Sequence, residues 1–372
     1  MMIRIRRSLQ VFTLASVTSL VAAALFEQNI LADLIQVTPW LSDLMNLPAD
    51  VPFPGVKWLE RIATPETEFI HNGVSYSSIY AAFLDNEPLQ QPCRNLNAYL
   101  NSIFLPTAFS ARLTQELVPY VSNSLEWSHY LLCYLRNLIA GIIVYYGTAS
   151  VFHYFCYIHP ISEEIFAKRK RPSLATILDQ IVMAQTSMII YVMLPVIDEF
   201  LIEKGFTASY FTVQEIGGWG WYAFYFLLYM AMVEIGIYWV HRTLHTNKWL
   251  YKHVHMPHHK YNKAETLTPW ASIAFHPLDG MLQASPYVLA GLVCPCHYLT
   301  HLILLFFTAV WATYIHDAMD WNIDPIMGSK YHTMHHTHYI YNYGQIFTFC
   351  DAFWGTLRVP PTPTGISTRK IE

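Results

Sequence analysis

The sequence predicts an all-α fold: a polytopic membrane bundle of about four spanning helices, with a histidine-rich, two-metal cap on its cytosolic face. Three observations predict it. Charged residues make up 13% of the 372-residue chain and hydrophobic ones 53%, whereas a soluble domain carries about 25% charged residues. The apolar residues fall in long blocks, which a single soluble core does not need. Fourteen of the eighteen histidines lie between His241 and His338, far more than an even spread would place there.

In chain order, Arg4, Arg6 and Arg7 precede an apolar run over residues 11–26 that ends in small residues. Residues 1–27 read either as a signal peptide or as a membrane anchor, with a plastid transit segment as a third reading. Residues 28–125 are polar, and Pro48, Pro52, Pro54, Pro65, Pro88 and Pro92 break any long helix. They predict an irregular extramembrane extension with short helices. The principal domain, residues 126–360, opens with apolar blocks at 131–158, 174–196 and 219–240. Each is near or above the ~20 residues a spanning helix needs. A fourth apolar region, 281–314, is broken by Pro286 and Pro295 and predicts a hairpin that enters and leaves on one side. Residues 361–372 form a polar tail.

Orientation follows from charge. The run Lys168-Arg169-Lys170-Arg171 and the later Arg242, Lys248, Lys252, Lys260 and Lys263 mark cytosolic segments by the positive-inside rule. Asp198, Glu199 and Glu203 then fall on the opposite side. A net charge of −4 gives no support for a nucleic-acid partner. The six cysteines are scattered without a CxxC, as buried small hydrophobes are, and not as disulfides or zinc ligands.

The histidines form three boxes: His241 and His245 as HxxxH, His255, His258 and His259 as HxxHH, and His332, His335 and His336 as a second HxxHH. On a helix, positions i, i+3 and i+4 share a face, so each box converges imidazoles on one point. Imidazole suits iron, copper, zinc and nickel alike. Eight motif histidines exceed what one ion uses, which points to two metals. His276 in Phe275-His276-Pro277 and His316 in Ile315-His316-Asp317 border apolar stretches near the same face and join the candidate set. His297 and His301 make a further HxxxH whose role stays open, and His253 and His338 flank the boxes. His71, His129, His153 and His159 lie outside the cluster and read as ordinary histidines. Asp279, Asp317 and Asp320 are candidates to accept the second N–H of a ligating ring.

These strings carry a resemblance. HxxxH, HxxHH and HxxHH after an apolar span resemble the fatty acid hydroxylase/sterol desaturase superfamily. Tyr251-Lys-His-Val-His-Met-Pro-His-His259, Thr268-Pro-Trp-Ala-Ser272, Phe275-His-Pro-Leu-Asp-Gly280, Tyr331-His-Thr-Met-His-His336 and Trp354-Gly-Thr-Leu-Arg358 resemble its sterol C-5 desaturase (lathosterol oxidase) branch, in plant or algal form. The similarity covers about residues 125–360. It implies two non-haem iron ions held by His241, His245, His255, His258, His259, His332, His335 and His336, with His276 and His316 added, and no catalytic side chain beyond the ligands. The implied reaction is O2-dependent desaturation of a Δ7-sterol such as lathosterol or episterol to its Δ5,7-diene, in the endoplasmic reticulum membrane. Electrons would come from NAD(P)H through a reductase and cytochrome b5, here a separate protein because no fused module is present. The terminal Arg369-Lys370-Ile371-Glu372 reads as a dilysine-type retrieval signal or a plain basic tail. Two other readings remain open at this point: a C-4 methyl oxidase or lipid hydroxylase of the same superfamily, and, more remotely, a membrane metal transporter. The latter would spread ionisable residues along several spans.

Overall fold

A backbone that crosses an apolar layer must satisfy its own N–H and C=O groups, and the apolar blocks do so as helices. The computed structural model describes residues 69–71, 74–76 and 90–361, except 118–123, 168, 264 and 320–322. The expected N-terminal segment 1–27 and the terminal basic motif lie outside the described residues. Helix α1 (Gln91–Phe104) precedes α2 (Ser124–His153), which continues as a π-turn over Tyr154–Ile158. Helices α3 (Leu174–Tyr191) and α4 (Met193–Glu203) follow almost without a break. Then come α5 (Trp219–Thr246), α6 (Pro277–Val293), α7 (Tyr298–Ile315) and α8 (Ser329–His338). Strand pairing among the described residues is confined to short pieces, such as the antiparallel pair Phe69–His71 with Val74–Tyr76.

Among the described residues, four helical stretches are long and apolar enough to cross a membrane: Trp127–Ile158, Leu174–Glu203, Trp219–Thr246 and Tyr298–Ile315. Their outward faces carry exposed Ile143, Leu178, Val182, Leu227 and Phe306, as lipid contact requires. The fourth apolar region is the expected hairpin, with α6 and α7 joined through Cys294–His297. Helix α6 crosses α5 at Gly236, where an added Cβ would lie 2.7 Å from Pro286 Cβ, so a residue with a side chain forces the helices apart.

Two spans outrun their expected ends, for a physical reason in each case. The second continues to Glu203 because its acids are paired rather than solvated. Glu203 accepts from Asn97 Nδ2 at 2.8 Å, Tyr130 Oη at 2.9 Å and Arg94 Nη1 at 3.1 Å, and lies 2.9 Å from His129 Nε2. Glu199 pairs with Arg136, and Asp198 lies 2.6 Å from His301 Nε2. Buried charge is tolerated when each group has partners, and this network fastens α1, α2, α4 and α7 together. The third span runs past residue 240 to Thr246, so His241 and His245 sit on its last turns. All six cysteines are free and buried.

Candidate metal centre

At the end of the bundle remote from Glu203, three helical segments and one helix terminus converge. Residues Lys248–Leu250, Tyr251–His255 and Met256–His259 wind as a short helix that passes through a π-turn. The following segment is seated on α2 and α3: Tyr145 Oη donates to Trp270 O at 2.8 Å, and Trp270, Ala271 and Ala274 pack on Ala184 and Met188. This fixes the second histidine box against α5, α8 and the C-terminal end of α7.

Two groups of side chains able to hold an ion result. His241, His245, His255, His259 and His335 form one, and His258, His316, His332 and His336 form the other; within each, the donor atoms lie within 4.8 Å of one another. A metal–nitrogen distance near 2.1 Å places ligand nitrogens about 3–4 Å apart, so the spacing suits a metal ion in each. The expectation that each box converges on one point is corrected for the two HxxHH boxes, while His241 and His245 of the HxxxH lie together in the first group. His255 and His259 join the first group while His258 joins the second; His332 and His336 join the second while His335 joins the first. Successive residues turn about 100° on a helix, so i and i+4 share a stripe while i+3 faces aside. Each HxxHH therefore serves both groups.

Tautomers follow from the outer partners. Nδ1 faces an acceptor in five rings: Tyr343 O at 2.9 Å for His241, Asp279 Oδ2 at 2.7 Å for His255, Ala274 O at 3.3 Å for His258, Ala312 O at 2.6 Å for His316 and Tyr341 O at 2.7 Å for His335. These five Nδ1 atoms carry the proton, and their Nε2 atoms are lone pairs. Yet Nε2 of His258 and His316 face each other at 3.3 Å, which no hydrogen bond can explain in that tautomer. Facing lone pairs repel unless a cation lies between them. The donor set thus fits metal ions, and neutral nitrogen ligands fit iron as well as zinc or copper.

Burial keeps the rings neutral. It lowers His258 to about 4 and His316 to about 3, with neighbouring imidazoles adding to the effect. His259, His332, His335 and His336 are held well below the ordinary histidine value, first by burial and then by adjacent histidines. The neutral form is the one that ligates.

The loop after α8 supplies two of these four carbonyls, Tyr341 O and Tyr343 O. Glu234, buried on α5, accepts the N–H groups of Gln345, Ile346 and Phe347 at 3.1, 2.8 and 2.9 Å, while Asp351 accepts those of Tyr343 and Gly344 at 2.8 Å each. A Cβ at Gly344 would lie 2.3 Å from Phe347 O, so the tight turn needs glycine. Nothing in the sequence spacing marked these two acids, because they act through backbone groups.

The structure brings together nine of the ten expected histidines and leaves one out. His276 is exposed, and its Nδ1 accepts the N–H of Leu278 at 3.2 Å as the N-cap of α6. A residue before proline at a helix start is set in extended backbone, which turns this ring away from the cluster. His297 lies 2.9 Å from Phe211 O, and His301 bridges Asp198 and Tyr229, so neither joins a group. His253 and His338 are exposed. Of the three expected aspartates, Asp279 accepts from His255, Asp317 accepts the N–H of Met319 at 2.9 Å, and Asp320 lies outside the described residues.

A cavity of about 240 Å³ opens below the histidines. His241, His258, His316 and His332 form its roof, so it reaches both groups, and apolar side chains such as Val144, Met188, Leu305 and Ile315 line its walls. It extends to Asp198, whose partner His301 precedes His316 by fifteen residues of α7, about 22 Å along a helix axis.

Comparison with known proteins agrees with this arrangement. The Fatty acid hydroxylase family profile matches residues 226–356. The chain is 42% identical over 266 residues to the Delta(7)-sterol-C5(6)-desaturase of Nicotiana tabacum, covering 70% of this chain and 96% of that protein. It is 33% identical over 235 residues to the lathosterol oxidase of Rattus norvegicus, covering 61% and 75%. It is also 32% identical over 256 residues to the Delta(7)-sterol 5(6)-desaturase of Candida dubliniensis, covering 68% and 64%. No solved structure matches the chain. With the histidine boxes, the apolar spans and these relatives in agreement, the chain belongs to the fatty acid hydroxylase family, in its sterol C5(6)-desaturase branch.

Proposed function

We propose that this protein, an oxidoreductase, removes the hydrogens from C5 and C6 of a Δ7-sterol to give the Δ5,7-diene. The observation that carries the reading is an apolar cavity inside the bundle whose roof is built from histidines of both groups. Its mostly apolar lining suits a water-insoluble, rigid four-ring lipid, and the relatives named above are sterol desaturases and a lathosterol oxidase.

In this reading His241, His245, His255, His259 and His335 hold one iron ion and His258, His316, His332 and His336 the other. Two bound irons would supply the O2 reduction needed to break the C5–H and C6–H bonds. The chain's own residues do the rest: outer hydrogen bonds orient the imidazoles, burial keeps them neutral, and the apolar walls exclude water and align the sterol beneath the roof. Reducing O2 to two waters takes four electrons, of which the substrate gives two. The other two come from cytochrome b5, recharged by its NAD(P)H-dependent reductase. Lys248, Lys252 and Lys263 are exposed at the histidine-bearing end, where they suit an acidic electron carrier. By the same charge asymmetry this end faces the cytosol, with the bundle in the endoplasmic reticulum membrane.

The test is expression in cells lacking their own C5 desaturase, followed by a sterol profile. Restored Δ5,7-diene sterols support the reading. Accumulation of hydroxylated or C-4-oxidised sterols without a diene replaces it with the hydroxylase or C-4 methyl oxidase reading.

A further inference from the structure

The cavity has polar groups that the histidine roof does not account for. Most wall hydroxyls are already engaged: Tyr145 Oη donates to Trp270 O, Thr313 Oγ1 to Ala309 O, Thr148 Oγ1 to Val144 O, and Tyr287 bonds Thr308. Gln283 differs. It lies one turn after Asp279 on α6 and lines the cavity, and its Nε2 donates to Asp279 Oδ1 at 2.8 Å. A carboxylate oxygen only accepts, so the amide must turn its NH2 toward Asp279. The carbonyl end of Gln283 has no protein partner among the hydrogen bonds of the described residues. Asp279 in turn accepts from His255 through its other oxygen. Ser272, which also lines the cavity, carries a buried hydroxyl without a partner.

We infer that Gln283 receives the substrate's one hydroxyl group, accepting its hydrogen at Oε1, with Ser272 available to donate to the same oxygen. This deepens the sterol reading above and rests on it. A sterol carries its hydroxyl on C3, and only C4 separates C3 from C5. If the histidine roof acts at C5 and C6, the hydroxyl is confined to the roof end of the cavity. Gln283 is tied to that end through Asp279 and His255. Because its N–H groups are turned to Asp279, Gln283 offers an acceptor and selects a ligand that donates. The pairing also gives this amide its missing partner: a carbonyl left unpaired inside the bundle is costly, and the sterol hydroxyl completes it.

The experiment uses the full-length protein in membranes, with a tritiated Δ7-sterol displaced by the unlabelled alcohol, by its 3-O-methyl ether or by its 3-ketone. Ether and ketone keep the ring system but cannot donate a hydrogen bond. For the wild type, both analogues should compete at least about tenfold more weakly than the alcohol, as sites built around a hydrogen bond discriminate. In Gln283→Met, of similar length and without the acceptor, that gap should shrink to about twofold, with the KM for the alcohol raised more than kcat is lowered. Wild-type protein that binds alcohol, ether and ketone equally overturns the assignment, whether or not the variant accumulates. So does a Gln283→Met protein that keeps the full gap. A wild type that neither binds nor converts the Δ7-sterol overturns the sterol reading itself, and the assignment with it.

Discussion

His255 and Asp279 are joined by a 2.7 Å hydrogen bond from Nδ1 to Oδ2, and both side chains are fully buried. The bond fixes the His255 tautomer so that Nε2 points into the first histidine group. Asp279→Asn keeps the shape but lets the amide present a donor to Nδ1. We expect metal affinity to fall about 10–100-fold, the usual cost of losing such an outer partner. Equilibrium titration of metal-stripped protein measures it, and unchanged affinity contradicts the orienting role.

Because every HxxHH divides between the groups, single substitutions sort by group and not by box. His335→Ala should deplete the ion of the first group, and His336→Ala, its chain neighbour, that of the second. Both should abolish desaturation while leaving the protein in the membrane. His276→Ala should lose only a helix cap, about 1 kcal/mol, and retain activity within about twofold of wild type. Loss of bound metal in His276→Ala would restore it to the ligand set.

Buried neutral histidines make metal-free stability depend on pH. The folded protein holds His258 down to about 4, from an ordinary value of 6.5. Between those values the unfolded chain binds more protons, so stability is full above about pH 6.5 and declines as pH falls toward 4. Thermal unfolding of metal-free protein should show Tm constant from pH 7 to 8 and falling between pH 6.5 and 4.5. A flat Tm through that window contradicts the burial account.

Glu234 holds three consecutive N–H groups of the loop that supplies Tyr343 O to His241. Glu234→Leu leaves those donors buried without an acceptor, a loss of about 3 kcal/mol or more. We expect lowered Tm together with weakened metal retention. Glu234→Gln, which keeps one acceptor oxygen, should recover much of both. Equal defects in the two variants would show that the charge, and not the accepted hydrogen bonds, matters.

Much of this was legible in the sequence, and the reasons for the rest are local. The spans were readable because an apolar layer demands long uncharged blocks, and the boxes because helical spacing puts imidazoles on one face. The extra length of the second span was not, since Glu203 reads as a solvated terminus until Arg94, Asn97, His129 and Tyr130 are folded around it. His276 was misplaced because adjacency to an apolar block says nothing of ring direction, which Pro277 and the N-cap decide. His316 was singled out by the same adjacency, and its ring lies in the second group. The division of each HxxHH follows from helical phase, but only after the axes of two facing segments are known. Gln283, Glu234 and Asp351 carry no motif, as their roles arise from contacts between distant segments.

In the proposed reading, two separate histidine groups each hold an iron. Its most direct test is the metal content of purified full-length protein, by elemental analysis against amino-acid quantitation. In this reading the wild type carries two irons per chain, falling to one in either His335→Ala or His336→Ala. One metal per chain in the wild type, or zinc in place of iron in active protein, would contradict it.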